Sequence, residues 1–220
     1  MQSGNSGDWN AYSKYSVGWI TPEVILPDSL ESGESVEVTI GALATTGEAI
    51  VIPGADSDYN GTPFCEYIII DLFTDLGVNA VDAAANGLGS ALGIRISHVN
   101  GTMEARDVDI DGLVPEGETE ETLYPIGTIN KTNSYNEKGS YLLEVIQRGG
   151  DNTFTDLANL RTQLSKDDLF LAGDVFKVEE YTEFFHNGLM DDRTEFGYTI
   201  EIVEITEGEE PTATIRITRQ

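Results

Sequence analysis

The chain has 220 residues, 40% of them hydrophobic and 9% aromatic, which is enough apolar material for a sizeable core and excludes an acidic disordered tail. It carries 12 Lys+Arg against 39 Asp+Glu, a formal net charge of −27. Phosphate backbones and anionic lipid surfaces are repelled by such a surface, so nucleic-acid binding is excluded and membrane association disfavoured. Cys65 is the single cysteine, which rules out an intrachain disulfide and a cysteine-built zinc site.

In chain order, Asp8 is a candidate N-cap for a short helix over Trp9 to Val17, which places Tyr12 and Tyr15 on one face. Gly18 ends it and Pro22 prevents a restart. Beyond Pro22 the period becomes alternating. Val36, Val38 and Ile40 predict a half-buried strand, and Ala49 to Ile52 a second one stopped by Pro53-Gly54. Glu66 to Phe73 holds an unbroken apolar run and predicts a central strand covered on both faces. Ala80 to Ala85 reads as one helical turn or a loop. Leu92 to Val99 predicts a strand with Ile94, Ile96 and His98 on one face and Arg95 and Ser97 on the other. Tyr141 to Gln147 predicts a strand, and Asp156 to Leu164 a helix through Leu157, Leu160 and Leu164. Val175 to Val178, Tyr198 to Ile205 and Thr212 to Thr218 are the last strands, the final pair separated by a sharp turn at Glu207 to Pro211. The expected architecture is mostly β: an antiparallel β-sandwich-like domain over 23–220, preceded by a short helical segment over 1–22.

No His-Glu-x-x-His and no Gly-x-Ser-x-Gly occurs. A hydrolytic zinc site needs three protein ligands around an open position. The two histidines, His98 and His186, do not supply that set unless the fold brings carboxylates to them. His98 reads as a core or cleft-edge histidine and His186 as a turn residue. Gly87 to Gly93 has neither the spacing nor the following helix of a phosphate loop. One local motif is specific: Asp107, Asp109 and Asp111, then Gly112 and Glu118, fit the D-x-D-x-D-G-x5-E pattern of a calcium loop. Its flanks read as strands rather than helices, and the competing reading is a strand exposing Asp107, Asp109 and Asp111 while burying Val108 and Ile110. Pro115 to Thr122 adds an acidic surface loop.

Gly7-Asp8-Trp9-Asn10, with Ser13-Lys14, Gly18-Trp19 and Pro22, resembles the stretch that follows the zinc motif in immune inhibitor A-like metallopeptidases, secreted bacterial proteases of the metzincin type (peptidase family M-six). In that resemblance Met1 matches the methionine of the turn beneath the zinc, and Trp9 replaces a family histidine. Further blocks follow in order: Pro63 to Ile69, Leu76 to Asn79, Gly93 to Asn100, Leu142 to Gly149, and Asp168 to Asp174. The resemblance implies that 1–22 is the exit segment of a protease domain and 23–220 a β-rich C-terminal domain. It also implies that the zinc-binding helix lies upstream of Met1, and that this chain, without it, is inactive alone. The expected partners are that upstream catalytic domain and the parent's peptide substrates; the expected location is secreted or cell-surface, with zinc held by the parent. A standalone calcium-stabilised module for a surface glycan or protein is the alternative. Tyr12, Tyr15 and Trp19 are expected to pack against the missing domain, leaving residues before 20 open to proteolysis when the chain is isolated.

Overall fold

The computed structural model describes residues 8–85, 88–107, 121–125, 128–129, 141–153 and 164–220. The expected β-sandwich is present. A six-stranded sheet is built from β1 (Glu23–Val24), β3 (Ile50–Ile52), β4 (Glu66–Thr74), β5 (Leu92–Asn100), β9 (Tyr141–Ile146) and β8 (Thr128–Ile129), in the order β1-β3-β4-β5-β9-β8. Its four inner strands pair antiparallel, while β1 and β8 add parallel edges. The second sheet is four-stranded and antiparallel, with β10 (Val175–Phe176), β11 (Tyr198–Thr206), β12 (Thr212–Arg219) and β2 (Ser35–Gly41) in the order β10-β11-β12-β2. A separate pair joins β6 (Met103–Asp107) to β7 (Glu121–Pro125).

The alternating sequence of the four-stranded sheet is what a one-sided sheet requires. Val38 and Ile40, Ile200 and Ile202, and Ala213, Ile215 and Ile217 are buried against the other sheet. Glu37 and Thr39 face water, and Arg216 pairs with Glu37 and Glu201 across the strands. From the six-stranded sheet come Ile50, Ile52, Ile68, Ile70, Leu72, Ile94, Ile96 and Ile146. At one end this core passes into aromatic packing among Phe170, Phe176, Tyr181 and Phe185.

All nine residues of β4 are buried. Its even positions enter the sandwich, and its odd positions Tyr67 and Ile69 join a second cluster with Ala11, Tyr12, Leu43, Val51, Val99 and Leu142. That second cover is helix α1 (Ala11–Ser16) together with α2 (Leu43–Thr46). Helix α1 is shorter than expected, and its N-cap is Asn10, whose side chain accepts from the Ser13 amide. Asp8 instead pairs with Lys14 at 2.5 Å, and its own backbone amide donates to Asn79. Gly18, at φ +73°, ends the helix as read from the sequence. Tyr12 and Tyr15, expected to need another domain, pack on this chain: Tyr12 is buried and the Tyr15 hydroxyl meets that of Tyr59. A third, smaller cluster lies under α3 (Asn79–Ala85), where the sequence left a choice between a turn and a loop.

The helix expected over Asp156 to Leu164 lies outside the described residues except for Leu164. The strand expected to run to Val178 stops at Phe176, and Val178 to Glu180 forms a 3-10 turn that buries Val178. No helix among the described residues is long and apolar enough to cross a membrane.

Candidate functional site

At one end of the sandwich interior the apolar rows give way to polar side chains. Antiparallel pairing of β4 with β5 sets Glu66 opposite Asn100 and Ile68 opposite His98, while β5 with β9 sets His98 opposite Glu144. Glu66, His98, Asn100 and Glu144 thus share the interior face at the strand ends, by the period of two alone. The loop 185–194 closes over them. His98 is 1% exposed, and its Nε2 lies 2.7 Å from Glu66 Oε1. The same Oε1 accepts the Asp191 amide at 2.6 Å, and Oε2 accepts the Asp192 amide at 3.0 Å. The Asp191 carboxylate accepts from Asn100 Nδ2 at 2.9 Å while its side chain reaches solvent. Phe185 packs on the imidazole with ring centroids 4.9 Å apart.

Burial disfavours the charge on His98, but contact with Glu66 and the nearby Asp191 and Glu144 carboxylates reverse this, so the imidazole titrates above its usual range. Burial pushes the Glu144 carboxyl up to about 7, against the lowering effects of His98 and of the Asn152 hydrogen bond. Removing charges from water is costly unless they are paired, and here one imidazole serves three carboxylates. Among the described residues no ion pair brings a lysine or arginine to Glu66, Glu144 or Asp191. One donor atom each from Glu66, His98 and Asp191 lies within 4.8 Å of the other two.

Sequence reasoning placed His98 correctly as a buried histidine but missed its carboxylate partners. Glu66, just before an apolar run, was the available signal; Asp191 stands 125 positions further on and is brought in only by tertiary closure. His186 is the exposed turn residue it was expected to be, in a 3-10 turn with Asn187 at φ +59°. Of the proposed calcium ligands, Asp107 ends β6, and Asp109, Asp111 and Glu118 lie outside the described residues, as does Met1.

A second surface feature lies on the opposite cover of β4. Trp9 and Trp19 stack with centroids 4.6 Å apart and are 40% and 64% exposed. Beside them runs a groove of about 470 Å³ lined by Trp19, Ile20, Glu23, Thr39, Thr46 and Glu48. The segment that carries these tryptophans is fastened by the Asp8–Lys14 pair, by Lys14 to the Leu43 carbonyl, and by Asn79. Comparisons of the chain with protein-family models, with curated proteins and with solved structures find no match.

Proposed function

We propose that this chain is a non-catalytic β-sandwich part of a secreted bacterial zinc metalloprotease of the immune inhibitor A type, which braces the protease domain. The observation that carries the reading is the exposed Trp9–Trp19 stack on the segment whose sequence most specifically resembles that family. Large exposed aromatic pairs on a fixed support are characteristic anchors of protein interfaces. Further support comes from the way the resembling blocks meet: the Asp8 amide donates to Asn79, His98 contacts Glu66, and Gln147 donates to Asp168.

The family's hydrolytic zinc does not fit the residues of this chain. Its two-histidine helix has no counterpart in the sequence, and the two histidines present are one buried in the sandwich and one exposed in a turn. No hydrolytic step is assigned to these residues; peptide-bond cleavage belongs to the parent's catalytic module, and so do the peptide substrates.

The decisive experiment is to read the coding DNA upstream of the Met1 codon. An in-frame His-Glu-x-x-His is expected there; an upstream region with no such frame overturns the proposal. At the protein level, Trp19→Ser is expected to leave the melting temperature of the chain nearly unchanged and to weaken its binding to the separately expressed catalytic module about tenfold or more.

A further inference from the structure

We propose that Glu66, His98 and Asp191 bind a divalent transition-metal ion of the zinc class. This goes beyond the bracing role, because the site lies inside the sandwich end and shares no residue with the tryptophan platform.

Four observations support it. The three donors converge from two strands and a loop to within 4.8 Å of one another, where zinc with bonds of about 2.1 Å sets tetrahedral ligands about 3.4 Å apart. An ion seated there replaces the 2.7 Å hydrogen bond between His98 and Glu66, which opens by about 0.7 Å, and the exposed Asp191 side chain turns inward to complete the set. Next, the two buried donors are oriented from behind: Glu66 is held by the Asp191 and Asp192 amides, and His98 by the ring of Phe185. Such outer contacts are what give a metal site its geometry. Third, the carboxyl groups of Glu66, Asp191 and, on the neighbouring strand β9, Glu144 gather around one imidazole, and among the described residues no lysine or arginine ion-pairs with them. A divalent cation supplies the missing positive charge. Finally, Asp191 is exposed, so one of the three donors stands at the protein surface.

The donor set decides the class of ion. Calcium and magnesium prefer shells made entirely of oxygen, whereas one imidazole with two carboxylates suits zinc and its neighbours. Bound there, the ion would tie the 186–194 loop to β4 and β5. Its role is structural: it would link the sheet to the loop that closes the sandwich end.

The test is calorimetric titration of zinc chloride into the full chain after chelator stripping, at neutral pH, with melting curves alongside. The wild-type chain is expected to show one saturable site lost on His98→Gln, and a melting temperature raised by zinc. Asp191→Asn keeps an acceptor for Asn100 and removes only an exposed charge, so it folds even if His98→Gln does not. It is expected to weaken zinc binding about tenfold or more and to abolish the thermal shift. His186→Gln is expected to change neither, and calcium is expected not to compete. Absence of saturable binding overturns the proposal. Zinc binding equally tight in Asp191→Asn also overturns it, because the ion then sits elsewhere on the acidic surface. Neither result bears on the upstream reading frame, so this inference and the bracing role fail independently.

Discussion

Strands β4 and β12 are both hydrogen-bonded on two sides, yet their sequences look nothing alike. Strand β12 alternates, with Ala213, Ile215 and Ile217 buried and Thr214, Arg216 and Thr218 partly in water. Strand β4 is buried at nine consecutive positions. The difference is the number of layers stacked on each sheet. Helix α1 and its neighbours cover the second face of β4, and nothing among the described residues covers the outer face of β12. Position within a sheet therefore does not set the hydrophobic pattern; what lies on each face does.

The sharpest way to break that comparison is to truncate adjacent residues on each strand. Ile69→Ala and Ile70→Ala point to opposite faces of β4 and are both fully buried, so each is expected to cost about 3 kcal/mol in urea unfolding. On β12, Ile215→Ala is expected to cost a similar amount, while Thr214→Ala changes stability by about 0.5 kcal/mol or less. Equal effects at the two β12 positions, or a several-fold difference between the two β4 positions, would contradict the layer argument.

The second cover can be tested from its own side. Tyr12→Ala is expected to cost about 2 kcal/mol and to open residues 8–20 to limited proteolysis while the β-core resists. In the wild-type chain the docked helix is expected to protect that segment, in contrast to the cleavage before residue 20 that the sequence alone predicts for the isolated chain.

Alkaline unfolding gives a third handle on the same face. Burial pushes the phenols of Tyr12, Tyr59 and Tyr67 above the ordinary tyrosine range. Above pH of about 10 the unfolded chain releases phenolic protons that the folded chain retains, so stability falls as pH rises. Tyr181, in the aromatic end of the sandwich, is pushed up to about 12 and adds to the same trend. Tyrosinate absorbance is expected to show a delayed step that coincides with loss of structure; smooth ionisation of all tyrosines near the ordinary value would rule this out. The smallest effect is expected from Arg216→Ala, whose pairs with Glu37 and Glu201 lie on the wet face of β12. Its melting temperature is expected to stay within measurement error of the wild type, because solvent and salt screen such pairs.

Much of this fold was legible because burial on one or both faces leaves a period of two or an unbroken run. The strands around Val38, Ile70, Ile94, Ile200 and Ile215 could all be found that way. Strand β1 could not: Glu23 and Val24 carry no pattern, and only the exposed edge of β3 selects them as a parallel partner. The helix start was misplaced because Asp8 and Asn10 are both good caps, and Asp8 is engaged by Lys14 and Asn79. Those partners lie at separations that local reasoning does not reach.

The amino-acid order by itself determined the class of the protein: an acidic, strand-rich chain without a protease zinc motif, because composition, charge and periodicity are local properties. Tertiary structure decided which faces are covered twice and which charges end up buried together. Glu66 and His98 meet through the register of two strands, and Asp191 joins them through a loop that closes the sandwich. A cluster built from residues 32 and 125 positions apart depends on chain closure and packing, and no local pattern encodes it.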